Sequence, residues 1–502
     1  MFHEYFKIIL KYLTIDEKCG RIHMANFALH ILKGSKTMQR ETLGSRLGFI
    51  LLSAGCAIGM GNVWKFPWLC GKNGGGVFVL FYLIFLIIMG IPVMTMEFSM
   101  GRASQKSPAK MYTALAPGKK GWSLHGGLSM AGNFILMMFY TTVSGWMIQY
   151  FVKMITGLTD TIKAAPDMAA EAGAQFGGMV SNPTMQIGYM LIVVVVGFLV
   201  CSFSLQKGIE RVTKYMMLAL LAIMIVLAVN SIVMPGGAEG LAFYLVPDFA
   251  RAKEVGLFNV IIDAMNQSFF TLSLGIGSMA IFGSYLPKDR ALMGEAINVG
   301  VLDTFVAITS GLIIFPACFA YGVNPDAGQP LIFQTLPLVF ANMPGGKIWG
   351  SLFFVFMIFA AMSTVFAVFE NIVACTRDMF GWGKKKACII DGVVMFVLSI
   401  PCVLGFNLWS GFEPFGAGSN VLDLEDFIVS NVLLPLGSLS VVLFCSWKFG
   451  WSWEKFKEEA NTGKGVKVRD WMRVYLRYVL PVIILVLFAI GVVTKFWPNA
   501  LV

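Results

Sequence analysis

Two stretches decide the fold: Ala54-Gly55-Cys56-Ala57-Ile58-Gly59-Met60-Gly61-Asn62 and Phe269-Phe270-Thr271-Leu272-Ser273-Leu274-Gly275-Ile276-Gly277-Ser278. Each lies midway along an apolar run close to the ~20 residues a helix needs to cross a bilayer. Each also carries glycine, which costs about 1 kcal/mol in a helix interior, next to oxygen-bearing side chains. Two readings compete. Small residues at spacing four, such as Gly55 and Gly59, let membrane helices pack closely. Alternatively the helices break here, freeing carbonyls that can replace the water shell of a small cation and amide-bearing helix ends that favour a carboxylate. The second cluster falls in the sixth apolar run, the counterpart of the first in two five-helix repeats. Paired interruptions of this kind point to a transporter binding site.

Outward from these stretches, apolar runs continue through most of the chain, for example Val77–Met94, Met190–Ser202, Tyr215–Val233 and Leu480–Val493. Of 502 residues 57% are hydrophobic and 13% charged, about half the charge of a soluble domain. Eleven spans are expected, at about 46–69, 75–100, 125–156, 185–204, 212–234, 259–284, 297–321, 348–376, 388–406, 426–447 and 478–496. The expected class is therefore an all-α polytopic membrane protein. Its repeats cover about 46–234 and 259–447, its first and sixth spans are interrupted, and an eleventh span follows. Helices satisfy their own backbone in lipid, and the ten-residue alternation of a β-barrel is missing.

The net charge of +10 reads as topology. Arg102, Lys106, Lys110, Lys119 and Lys120 separate the second and third spans; Lys384, Lys385 and Lys386 precede the ninth; Lys464, Lys467, Arg469, Arg473 and Arg477 precede the eleventh. The segment after the third span is instead acidic, with Asp160, Asp167 and Glu171 against Lys163. The positive-inside rule then sets the N-terminus in the cytoplasm and the C-terminus outside, in a cell (inner) membrane. Because the basic residues sit between spans, membrane lipid is the expected macroscopic partner and nucleic acid is not. Nine scattered cysteines form no CxxC pair and no His/Cys cluster, so no metal site of that kind is expected. Residues 1–37 hold only the short apolar stretch Ile8–Leu13 and no signal-peptide pattern; Met38 is the expected native start, with 38–502 the transporter domain.

Glu97, Asp303 and Glu370 fall inside or close to spans, where an unpaired charge is expensive and marks function by default. For Glu97 and Glu370 the favoured role is structural, each capping the free amides of a broken helix.

At these residues the chain resembles a bacterial member of the neurotransmitter:sodium symporter family, the group with the leucine-transporter fold. The matching stretches are Arg46-Leu47-Gly48, Gly61-Asn62-Val63-Trp64-Lys65-Phe66-Pro67, Asn73-Gly74-Gly75-Gly76, Gly90-Ile91-Pro92 with Glu97 and Met100-Gly101-Arg102, Lys207-Gly208-Ile209-Glu210, Gln267 through Gly275, Ser363-Thr364 and Leu433-Leu434-Pro435-Leu436-Gly437. The resemblance runs from about residue 40 onward. It implies two sodium sites. The first would use Ala57, Asn62, Thr271 and Asp303; the second would use Gly55, Ile58, Ala360, Ser363 and Thr364. A substrate carboxylate would meet the Gly61 amide and the Tyr140 hydroxyl. Its ammonium would meet carbonyls of Ala57, Phe270 and Thr271 and the Ser273 hydroxyl. The side-chain pocket would comprise Met60, Leu136, Tyr140, Phe270, Ile276, Thr364, Val365 and Val368. Lys65 and Asp426 are similar to the family's outer gate, and Arg40, Ser284, Tyr285 and Asp378 to its inner one.

The chain departs from the family in places. Lys65 stands where Arg is usual and cannot make a bidentate fork. Leu218 replaces a proline after Met217, which puts unwinding of the fifth span in doubt. Asp303 stands where most studied members have an amide.

The expected function is sodium-coupled import of a small apolar or aromatic amino acid by alternating access. A non-transporting amino-acid receptor on the same fold is the alternative. A channel fits an occluded midplane pocket poorly, and no nucleophile–base pair suggests an enzyme. Gly59 stands where monoamine carriers have Asp, so the substrate should bring its own carboxylate. Chloride is not expected. Tyr82, Gln267 and Thr271 match three positions of the family's chloride site, but Asp303 and Ala307 occupy the other two. Either Asp303 supplies a fixed negative charge in place of chloride, or it is neutral or paired to a polar neighbour. The charged reading implies that a proton replaces sodium on the empty return step.

Overall fold

The computed structural model describes residues 43–119, 121–323 and 331–496. The expected extension 1–37 and the gate residue Arg40 lie outside them. The described chain is helical, with two isolated bridges, Arg290 with Lys464 and Pro414 with Gly416, as its only extended pairing. Among the described residues nine uninterrupted helices are long and apolar enough to cross a membrane: Gly76–Ser104, Gly121–Thr156, Pro183–Ser202, Gly208–Ile232, Leu292–Ala320, Gly346–Phe380, Lys384–Leu404, Val421–Ser446 and Met472–Val493. Arg46–Ala57 and Gly61–Lys72 form a further span, bent by 51° at its break. Leu257–Thr271 and Ser278–Gly283 form the two halves of the sixth. The chain is a multi-pass membrane protein, and the eleven expected spans match these elements in order.

The long third and eighth spans are mostly buried, whereas the fourth, fifth, ninth and eleventh face largely outward. That contrast sets a central pair inside a rim exposed to lipid. Local sequence explains several irregularities. The wide π-helical turns Gly61–Lys65, Leu86–Gly90, Phe427–Leu433 and Tyr475–Val479 are each followed by a proline, at 67, 92, 435 and 481. Proline brings no amide and its ring crowds the carbonyl four residues back, so the helix widens just before it. The fifth span, with Leu218 in place of proline, runs unbroken from Arg211 to Ile232.

Several charges read as lying between spans belong to the spanning helices: Lys384, Lys385 and Lys386 begin the ninth. Arg473 and Arg477 lie within the eleventh span. Arg102 ends the second span buried: its Nε donates to Glu459 Oε1 at 2.6 Å and its Nη1 to the Arg290 carbonyl at 2.6 Å. A cation with this many acceptors is satisfied without water.

Candidate substrate and ion-binding site

The first span stops at Ala57 because Ile58 turns extended, at φ −73° and ψ 96°. Helix resumes only at Gly61. The carbonyls left behind are met by hydroxyls from other spans. Thr364 Oγ1 donates toward Gly55 O at 3.2 Å, with Cys56 O and Ile58 O at 3.4 Å. Ser363 Oγ reaches Ile58 O at 3.1 Å and Ala360 O at 2.8 Å. The five residues expected around the second sodium ion are thus joined in one buried cluster of carbonyl and hydroxyl oxygens, a donor set suited to a hard cation.

The sixth span breaks over a longer stretch. Ser273, Gly275 and Gly277 take positive φ of 51°, 87° and 73°. A β-carbon on Gly275 would overlap the Leu434 carbonyl, and one on Gly437 would overlap the Gly275 carbonyl. The unwound strand therefore lies directly on the tenth span, and both glycines are required. Glu97 accepts from the Gly275 amide at 2.7 Å and the Met279 amide at 3.2 Å, the capping role expected of it. Glu370 does not cap. It accepts from the Tyr285 hydroxyl at 2.9 Å and lies 3.4 Å from Lys384 Nζ. It sits too far along the eighth span to reach a break, and the basic start of the ninth span offers it a counter-ion instead.

Between the breaks, Asp303 is fully buried. Its carboxylate accepts from Asn62 Nδ2 at 2.8 Å, Thr271 Oγ1 at 3.0 Å and Tyr82 OH at 3.1 Å. Among the described residues no cation pairs with it. Asn62 also accepts from the Gly59 amide at 3.2 Å. Gln267 Nε2 donates to the Gly61 carbonyl at 2.6 Å. Tyr82 and Thr271, two positions of the family's chloride site, thus both turn their hydroxyls onto Asp303.

A small cavity adjoins both breaks, lined by Cys56, Ala57, Gly59, Gly61, Leu136, Tyr140, Phe270, Ser273, Thr364 and Leu434. The Tyr140 hydroxyl accepts from the Met60 amide at 2.9 Å. A β-carbon on Gly59 would overlap both the Tyr140 hydroxyl and Thr364 Oγ1, so no side chain fits there in this conformation.

The sequence model of the sodium:neurotransmitter symporter family matches residues 40–162 and 173–500. The chain belongs to this family. An uncharacterized sodium-dependent transporter of Bacillus subtilis, YhdH, is 35% identical over 445 residues, covering 88% of this chain and 96% of that one. A sodium-dependent transporter of Haemophilus influenzae is 33% identical over 457 residues, covering 90% and 98%. The crystal structure of MhsT in complex with L-phenylalanine matches with a TM-score of 0.80 and 37% identity, over 90% of this chain and all of that one. Its fold is the leucine-transporter fold that the family resemblance implied.

One end of the cavity carries the pair expected at the family's outer gate. Lys65 Nζ lies 2.7 Å from Asp426 Oδ1, 3.0 Å from Ser430 Oγ and 4.2 Å from the centre of the Phe270 ring. Ser430 also donates to Asp426 at 2.7 Å. Its spacing of four from Asp426 places both on one helix face, a signal present in the sequence and not taken up there. Cys56 and Leu434 are further lining residues that sequence reasoning missed, although each neighbours residues it had singled out.

Other expected pocket residues fall elsewhere. Val365 packs toward Gly197 of the fourth span, because one residue past Thr364 turns its side chain by about 100° around the helix. Met60 lines a second small cavity above Phe270, with Trp64, Lys65, Trp68, Phe139, Leu422 and Asp426. Thr271 serves Asp303, while Ile276 and Val368 are buried outside the cavity lining. Of the residues expected at the inner gate, Asp378 accepts from the Ser107 amide at 2.7 Å, Ser284 donates to the Ile281 carbonyl at 2.6 Å, and Tyr285 donates to Glu370.

Proposed function

We propose that this protein imports a zwitterionic amino acid with an apolar or aromatic side chain, driven by two sodium ions and without chloride. The observation that carries this reading is the small cavity at the two broken spans, together with buried Asp303 and its three neutral donors and the Ser363–Thr364 oxygen cluster. The relative bound to L-phenylalanine supports an amino acid as the cargo. Leu136, Leu434 and Phe270 offer an apolar surface to the side chain, and Tyr140, Gly61 and Ser273 offer polar atoms to the backbone groups.

Sodium enters the mechanism as co-substrate. At the second site its oxygens come from the first and eighth spans, so occupancy holds the moving bundle (first, second, sixth and seventh spans) to the scaffold (third, fourth, eighth and ninth). Differential affinity of this kind shifts the conformational equilibrium. At the first site Asp303 supplies the negative charge that chloride brings elsewhere. On the empty return step a proton takes the place of sodium beside Asp303, making the cycle sodium-in, proton-out. The N-terminus is cytoplasmic and the C-terminus outside, in the cell membrane.

The test is uptake into proteoliposomes under a sodium gradient across the common amino acids, with gluconate replacing chloride, together with counterflow of labelled amino acid. Saturable, sodium-dependent uptake of leucine, methionine, valine or an aromatic amino acid is expected. Equal uptake of the decarboxylated amine would overturn the substrate assignment. Binding without counterflow would make the protein a receptor.

A further inference from the structure

A groove runs between the fourth and ninth spans, away from the central cavity. Val194, Val195, Phe198, Leu199, Ile389 and Val393 supply much of its apolar wall, and Ser202 and Lys385 line one end. Its volume is about 470 Å³, and it opens toward the bilayer. Its ninth-span wall reaches from Lys385 to Phe396, roughly 16 Å at 1.5 Å per residue. That is about half of the ~30 Å hydrocarbon core, the depth of one leaflet.

The charge at its end has one sign. Lys384 turns inward toward Glu370 at 3.4 Å. Lys385 and Lys386 stay exposed, with Lys386 4.7 Å from the Trp382 ring, which stacks on Phe380. Tryptophan at such a point marks the headgroup level. The neighbouring acids are buried and engaged: Asp391 accepts from Thr376 at 3.0 Å and Glu370 from Tyr285.

We propose that this groove binds an anionic phospholipid, one acyl chain along the apolar wall and the headgroup phosphate on Lys385 and Lys386. The lysine end is cytoplasmic in the orientation proposed above, where the leaflet is anionic. One-leaflet depth favours a lipid over a second copy of the chain, whose helix would need a complementary face through both leaflets.

The test is lipid retention by the purified full-length protein, read by native mass spectrometry after equilibration with equal phosphatidylglycerol and phosphatidylcholine of the same acyl chains. Wild type retains phosphatidylglycerol preferentially. Lys385→Gln with Lys386→Gln lowers that preference roughly tenfold or more, and the Lys→Arg pair keeps it. Ile389→Trp, at an exposed lipid-facing position, fills the groove and lowers retention of both lipids. Equal retention of the two lipids by wild type overturns the proposal, as does a preference that survives the double Gln substitution. Displacement by inorganic phosphate alone, or a lipid-free dimer closing the groove, overturns it too. Thermal unfolding controls for folding. Transport is not read, so failure of the proposed function leaves this outcome separate.

Discussion

The two broken spans free the same kinds of backbone group, but different partners meet them. In the first span the break is short; its Gly59 and Met60 amides reach the neutral Asn62 and Tyr140, and its carbonyls face other spans. Neutral hydroxyls from Ser363, Thr364 and Ser273 meet them. In the sixth the break is longer, passes through three left-handed residues and shows amides, which the Glu97 carboxylate meets. A helix interruption always leaves both kinds of orphan group. What differs is the partner: removable donors at the first, where a cation could take their place, and a buried acid fixed by two amides at the sixth. Asp303 stands between the two, tied to Asn62 of the first span and Thr271 of the sixth.

The largest effect should come from Asp303. A carboxylate and a sodium ion ~5 Å apart at an effective dielectric of ~20 attract by about 3 kcal/mol. Asp303→Asn is therefore expected to lower sodium affinity on the order of 100-fold, read by sodium titration of amino-acid counterflow in gluconate. Wild type should be indifferent to replacing chloride by gluconate. Arrest of wild-type uptake in gluconate would show that the carboxylate does not stand in for chloride.

Next come the neutral oxygens. Ser363→Ala should lower sodium affinity roughly tenfold, as the loss of about 1–1.5 kcal/mol implies, and Thr271→Val by a similar factor, in both cases with the fold retained. The comparison sharpens if the two losses multiply in the double variant, because they would then belong to separate ions. Unchanged sodium affinity in a Ser363→Ala, Thr364→Ala protein would place the second ion elsewhere.

Glu97 should behave differently. Glu97→Gln keeps one acceptor and leaves one buried amide unpaired, a destabilisation of about 1–3 kcal/mol. Thermal unfolding should register it while sodium affinity moves less than the Asp303 and Ser363 variants do. A sodium defect as large as that of Asp303→Asn, without lost stability, would show that the sixth-span cap acts on the ion.

Much of this was legible in the sequence because membrane helices declare themselves by length and apolarity, and their breaks by glycine in the wrong place. Asp303 declared itself as a charge that lipid would not tolerate unaided. What stayed hidden depends on rotation and on distant pairing. Val365 differs from Thr364 by one step around a helix and so faces the fourth span. Arg102 read as a loop charge because Glu459, its partner, lies 357 residues away. Glu370 read as a cap because the sequence does not show which of several nearby groups, a free amide or Lys384, it meets first.

The smallest effect should be at the outer gate. Lys65 and Asp426 are partly exposed, at 12% and 25% of their side chains, and their vestibule becomes wet when open. An ion pair under those conditions contributes ~0–1 kcal/mol. Its position matters more than its strength: Lys65 also lies over Phe270, which lines the central cavity, so closing the pair and covering the substrate are one movement. Reversing either charge alone sets like charges together and should slow uptake severalfold. Exchanging them, Lys65→Asp with Asp426→Lys, should recover more than either single reversal, though not fully, because the cation is then removed from the Phe270 ring and from its place beside Ser430. Initial rates of sodium-driven uptake compare the four proteins. Losses that simply add in the double variant would mean that the two residues act independently and that the closure of the cavity is set by Tyr140 and Phe270 alone.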